Sequence, residues 1–345
     1  MDGTIYDNGS LARLALDGTA DEQRTPVASP AFVDRVGRTP KDASRIAVIC
    51  NPRSHGVKTR GLDVPSGVDV LTPRTRADLR RTLADFKAIF FWEWFHRLMG
   101  RAIGLAFALP LAFAWVRGWI PQGYRSRLIA LLGLGGLQGV FGWLMVRSGL
   151  GGEMTDVSHF WLSIHLCTAL ITLAGLVWTA LDLHALDRDS AARPAILRPL
   201  AIGASLGLFV QVLLGAWVAG LNAGLASDTW PLMQGRILPE ANMSRGLFWA
   251  VTQDPFLLHF LHRWFAWIAF ATLLALGWKA LARENNAGKA LIGLATGQVL
   301  LGIVTVISGV SLWIAVGHQV TGALLVAATA ASAHAIGGRG PATRA

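Results

Sequence analysis

Hydrophobic and polar positions divide the chain near residue 86. Before it, apolar residues come in short groups between charges and turn formers. From Ala88 onward they come in windows of roughly 20 residues or more, long enough to cross a bilayer as helices. Seven windows are predicted, at residues 88–116, 128–146, 157–181, 200–221, 256–278, 290–310 and 312–336. In the polar part, "RIAVICNPRSHGVKTRG" at 45–61 and "VDVLTPRTRADLRRTLADF" at 68–86 predict a strand, a Gly/Arg-containing loop, a second strand and a helix. The expected fold class is therefore an all-α integral membrane protein, preceded by a small polar α/β-like segment over residues 1–85.

Loop charge sets the direction of the spans. The connections around 117–127, 182–198 and 279–289, with the tail after 336, hold eleven Lys/Arg, whereas the alternate connections hold Arg147, Arg236 and Arg245. The first set is expected on the cytoplasmic side. The same bias accounts for much of the net charge of +10, so the charge implies no nucleic-acid partner. Cys50 lies in the polar region and Cys167 inside a predicted helix, a placement that suggests neither an internal disulfide nor a zinc or iron–sulfur site. The first 30 residues carry acids, Pro and Gly where a secretory signal peptide would carry an apolar stretch, so none is expected at Met1.

Within the spans the informative residues are ionisable, because charge in hydrocarbon costs at least ~2.5 kcal/mol. The run "FFWEWFHRLMGR" at 90–101 carries Glu93, His96 and Arg97. His96, His165, His262 and His318 each fall about five to eight residues inside the outward end of a span, which places all four at one depth. His159 and His259 sit at outer helix mouths, His184 and His334 near the cytoplasmic boundary and His55 in the polar segment, and these five are read as solvated or interfacial. Paired imidazoles on facing helices suit haem iron, for which neutral imidazole is a sufficient axial ligand. Zinc would want a tighter set of three or four ligands.

"FHRLMGRAIGLAFAL" at 95–109 resembles "LHRWFAWIAFATLLAL" at 261–276, and Gln-x-x-x-Gly recurs at Gln138/Gly142, Gln211/Gly215 and Gln298/Gly302. The second half thus runs Gln helix, His-Arg helix, Gln helix, His helix, and the first half repeats that order from its His-Arg helix onward. A duplicated four-helix bundle follows, with seven of its eight helices present and one haem pocket per bundle. The Gln-x-x-x-Gly pattern reads as close packing through small residues. Arg97 and Arg263 can pair with haem propionates or seek the membrane interface. Glu93 has no counterpart before His262, where His259 stands, and a group found in one pocket of two points to chemistry.

These residues carry a resemblance. From about residue 86 to about 337 the chain resembles heme A synthases of the proteobacterial and mitochondrial type, through "FKAIFFWEWFHRLMGR", "HL" at His165, "AGLNAGLASDTWPLMQG" at 219–235, "HFLHR" at 259–263 and "GHQVTGALL" at 317–325. The resemblance implies a multi-pass oxidoreductase of the cell inner membrane that converts the C8 methyl of heme O to the formyl of heme A with oxygen from water. It implies a haem b cofactor held by His262 and His318 with Arg263 nearby, a substrate haem held by His96 and His165 with Arg97, and Glu93 as the catalytic carboxylate. The expected domains are residues 1–85, an N-terminal substrate bundle at 86–185 lacking its first helix, and a C-terminal haem b bundle at 197–338. Heme O synthase, cytochrome oxidase assembly factors and a second copy of the chain are candidate partners, besides membrane lipid.

Residues 45–86 also resemble the start of a diacylglycerol kinase-like catalytic domain. The Gly-Gly-Asp-Gly motif of that family is absent, so the expectation is a fusion near residue 86 and no kinase activity. Two other readings stay open at this point: a bis-histidine haem b electron-transfer or haem-holding protein, and an inactive fusion product.

Overall fold

The computed structural model describes residues 2–7, 10–15, 47–49, 69–70, 76–148, 157–283 and 286–338, with side chains at Lys87 and from Phe90 onward within those ranges. Cys50, His55 and most of the kinase-like stretch lie outside the described residues. The chain forms two compact units, residues 1–103 with 149–155 and residues 104–148 with 156–345.

The first unit contains a four-stranded sheet in the order β2-β1-β3-β4. Strands β1 (Asp2–Asp7) and β2 (Ser10–Ala15) pair antiparallel, with Asp7 opposite Ser10. Strand β3 (Ala47–Ile49) runs parallel to β1, and β4 (Asp69–Val70) runs parallel to β3. The later two strands and the helix after them match the predicted order. The hairpin was not anticipated, although Asn8-Gly9 between its strands is the dipeptide favoured in two-residue connections. Helix α1 (Arg76–Val116) passes unbroken through residue 86, and none of its apolar window is buried.

The second unit holds the other helices: α2 (Arg125–Ser148), α3 (His159–Arg188), α4 (Pro199–Gly220), the short α5 (Leu247–Gln253), α6 (Pro255–Leu281), α7 (Asn286–Ile307) and α8 (Leu312–Gly337). All but α5 are long and apolar enough to span a membrane, as is Phe90–Val116 of α1, which makes seven candidate spans among the described residues. Their boundaries follow local chemistry. Pro199 and Pro255 open α4 and α6 where a missing N–H costs nothing, and the Asp254 carboxylate caps α6 by accepting from the Leu257 N–H at 2.8 Å.

Apolar burial concentrates in the half of this unit that holds the start of α4 and the end of α8. Ala201, Ala204 and Leu208 of α4 meet Leu273, Leu276 and Ala280 of α6, Leu291 and Ala295 of α7, and Leu325 to Ile336 of α8. Small residues let the backbones close up: a Cβ on Gly288 would stand 2.5 Å from the Gly277 carbonyl oxygen. The largest apolar cluster therefore lies on one side of the histidine layer, with Ala216, Met233, Ala250 and Leu258 buried on the other.

A buried carboxylate ties three helices together at the same end of the unit. Asp182 of α3 pairs with Arg127 of α2 at 2.5 Å, lies 2.9 Å from His334 Nε2 of α8, and accepts from the Ala195 N–H at 3.0 Å. Just outside α2, the Tyr124 phenol has its pKa raised, first by burial and then by the Asp182 charge. His334 is thus a partner in an internal ionic cluster, a correction to its reading as interfacial. His184 is exposed, as expected.

Candidate functional site

Three of the candidate histidines lie at one depth into their helices, His165 following His159 by six residues, His262 following Pro255 by seven and His318 following Leu312 by six, whereas His96 lies twenty residues into α1. For those three, a 1.5 Å rise makes the depth roughly 9–10 Å from the helix start. His165, His262 and His318 belong to the second unit, while His96 belongs with Glu93 and Arg97 to the first, so the pairing of His96 with His165 rests on the sequence.

The three histidines of the second unit share one seat. Gln211 of α4 places its amide nitrogen 3.1 Å from Nδ1 of His262 and donates to the His262 carbonyl at 3.0 Å. One turn further along α4, a Cβ on Gly215 would stand 2.9 Å from the Cε1 of the same ring. On α7, the Gln298 amide nitrogen lies 3.4 Å from Nε2 of His318, and a Cβ on Gly302 would stand 3.2 Å from its Cε1. With its amide turned to donate, Gln138 of α2 reaches the His165 carbonyl at 3.1 Å and Nδ1 at 3.2 Å, and accepts from the Ala169 N–H at 3.0 Å. Gly142 lies under that ring, 3.3 Å from Cε1 when given a Cβ. The Gln-x-x-x-Gly pattern thus does more than close helices together: it grips and floors an imidazole on the next helix.

Haem fits this donor set. His262 and His318 come from neighbouring helices of one bundle, and their rings are near enough to interact electrostatically. Gln211 Oε1, Gln298 Oε1 and His318 Nδ1 are buried without hydrogen-bond partners, so the polar lining is not satisfied by the protein alone. Among the described residues no three His, Cys, Asp or Glu side chains gather as a metal cluster, which does not suit zinc.

The two His-Arg helices share a further construction. On α1, Arg97 donates to Glu93; on α6, Arg263 donates through Nε to His259 Nε2 at 3.0 Å. In both, the arginine after the histidine pairs with the side chain four residues earlier. Glu93 and Arg97 are exposed, whereas Arg263 is buried and also donates to the carbonyls of Thr229 at 2.8 Å and Ser227 at 2.9 Å, with its guanidinium 5.7 Å from the Trp230 ring. Three of its five N–H donors are engaged, so two remain for a propionate.

His159 and His259 are buried, not solvated, and the outer connection between α4 and α6 is the reason. It folds back over the helix ends through a short 3-10 turn (Ala223–Ala226), a bridge between Met233 and Arg236, and α5. His259 takes the Arg263 hydrogen bond beneath it. His159 Nε2 lies 3.0 Å from the Thr252 carbonyl of α5, and its Cβ would meet a Cβ on Gly220 at 2.6 Å. Trp217 Nε1 donates to Ser163 beside it at 3.1 Å.

Seven helices long and apolar enough to cross a membrane, among them three whose histidines are seated by a glutamine and a glycine, define a multi-pass membrane protein. Residues 72–330 match the family of the cytochrome oxidase assembly protein (COX15-CtaA), and the chain belongs to that family. The heme A synthase of Erythrobacter litoralis is 60% identical over 255 residues, covering 74% of this chain and 76% of that protein. Those of Sphingopyxis alaskensis and Novosphingobium aromaticivorans are 56% and 51% identical, each over 266 residues and about three quarters of both chains. The match begins 14 residues before Phe86, the point where the sequence pattern put the start of the likeness (86 − 72).

Proposed function

We propose that the chain, a heme A synthase-like membrane oxidoreductase, oxidises the C8 methyl of heme O to the formyl of heme A in the cell inner membrane. The observation that carries this reading is the seating of His262 and His318 by glutamine and glycine in a chain of this family. Residues 197–338 form the cofactor half, in which His262 and His318 hold haem b. Residues 86–185 form the substrate half, in which His96 and His165 hold heme O, and residues 1–85 are a polar segment outside the membrane. Haem b, when bound, supplies a one-electron path away from the substrate.

The overall change balances as methyl plus water giving formyl, four electrons and four protons. Withdrawing electrons from a methyl on a conjugated ring builds positive charge, which the Glu93 carboxylate stabilises. The same carboxylate takes protons from the attacking water. Arg97 orients Glu93 through the hydrogen bond along one turn of α1. Arg263, with two N–H groups in reserve, faces a propionate while its other donors hold the outer connection.

The test is chromatographic analysis of haem extracted from membranes that contain a heme O source and otherwise lack heme A. Heme A is expected with the parent chain, and Glu93→Gln is expected to lower it by roughly 10²-fold or more, the scale of lost acid-base catalysis. Unchanged product in the variant removes Glu93 from the chemistry. A second reading, a bis-histidine haem b electron-transfer protein, has its own support in the seating of His262 and His318, which needs no substrate half. Haem b with no heme A in the parent extract would favour it.

A further inference from the structure

We infer that Gln211 and Gln298 are positioning residues that set the planes of the two axial imidazoles of the cofactor, each from a different helix, and that Gln138 does the same for His165 in the other half. The inference rests on the haem reading above and goes beyond ligand identity to ligand orientation.

An imidazole held only by its Cβ can turn about two bonds, and on a helix nothing in its own backbone fixes its plane. Here two contacts from a neighbouring helix do so. The Gln211 amide nitrogen is itself anchored by donating to the His262 carbonyl at 3.0 Å, and that anchored atom lies 3.1 Å from Nδ1. Gly215 lies one turn along α4 and receives the Cε1 edge so closely that a Cβ would stand at 2.9 Å. A ring held at Nδ1 and walled at Cε1 has one plane open to it; with Nε2 on iron, Nδ1 carries the proton and would donate it to Gln211 Oε1, which is otherwise without a partner, once the amide turns.

A glutamine–glycine seat recurs for His318 from α7 with the ring nitrogens exchanged: the Gln298 amide lies at Nε2, Nδ1 is buried without a partner, and Gly322 adds room for the amide, whose nitrogen would lie 3.3 Å from a Cβ there. It recurs again for His165 from α2. Threefold recurrence of amide, glycine and ring, always between a helix and its successor, is what separates a positioning device from ordinary packing. Because α4 holds one cofactor ligand and α7 the other, the two ring planes are set independently. The angle between axial imidazole planes governs the orbital splitting of low-spin iron, so outer residues of this kind tune the metal through its ligands.

Low-temperature electron paramagnetic resonance on the oxidised, detergent-purified holoprotein reads that angle directly, with the haem-to-protein ratio measured on the same sample. Gln211→Leu is expected to shift the largest g-value, while Gln211→Glu, which keeps a group able to bond Nδ1, is expected to return it close to the parent's. Gln138→Leu is expected to leave the haem b signal where it was, since it seats a different histidine. Unchanged g-values in Gln211→Leu overturn the inference. If that variant retains no haem, Gln211→Glu decides: native g-values support positioning, and absent haem or displaced g-values overturn it. Failure of the haem reading itself looks different, for then the parent shows no low-spin signal or keeps it in His262→Ala.

Discussion

His262→Ala is expected to abolish the low-spin haem b absorption of the purified protein, and His318→Ala to do the same, while His259→Ala keeps it. All three histidines lie in one bundle, and two of them, His259 and His262, are less than one turn apart on α6. Their surroundings assign them opposite duties. His262 and His318 have rings clasped by an amide and walled by a glycine, a geometry that leaves a ring nitrogen to be offered to a metal. His259 spends Nε2 on Arg263, whose guanidinium also binds the carbonyls of Ser227 and Thr229, so its loss loosens the outer connection without removing an iron ligand. Removing either axial imidazole leaves five-coordinate iron or none, and both states lose the sharp low-spin bands. A pyridine haemochrome ratio beside the spectrum separates them. A full low-spin spectrum in His262→Ala would remove this residue from the iron.

The depth of the histidines was legible because it follows from span length and rise per residue, both of which a chain displays in one dimension. The helix ends fall within about four residues of the apolar windows for the same reason, save that α1 begins at Arg76 and α3 runs on to Arg188, seven residues past its window. The purpose of Gln-x-x-x-Gly was not legible, because the ring it seats belongs to another helix and only packing reveals the partner. Its signal was the recurrence of the pattern on the helix before each of three histidine helices. His159 and His259 were misread for a related cause: a residue at a helix mouth is solvated only when nothing folds over it, and the residues between α4 and α6 bring Thr252, Thr229 and Ser227 back onto those mouths. Arg263 follows the same logic, its buried hydrogen bonds to loop carbonyls being contacts across more than thirty residues.

Asp182→Asn is expected to lower the thermal midpoint of the protein by several degrees while leaving its haem spectrum unchanged. The carboxylate side chain is 1% exposed, so its charge is tolerated only through Arg127, His334 and the Ala195 N–H. Removing one partner of a buried pair costs about 3–5 kcal/mol where the remaining charge is trapped. The loss belongs near or below the lower end of that range, because Arg127 keeps 36% of its side chain exposed and so stays in reach of water. The spectrum is expected to survive because Asp182 lies near the C-terminal end of α3, at the opposite end of that helix from His165. A triple replacement, Asp182→Leu with Arg127→Leu and His334→Phe, is expected to recover much of the lost midpoint, since an apolar filling carries no unpaired charge. Size-exclusion thermal melts of the three proteins provide the measurement. An Asp182→Asn midpoint equal to the parent's would show that this cluster, which joins α2 and α3 to α8, adds nothing to holding the two halves of the repeat together.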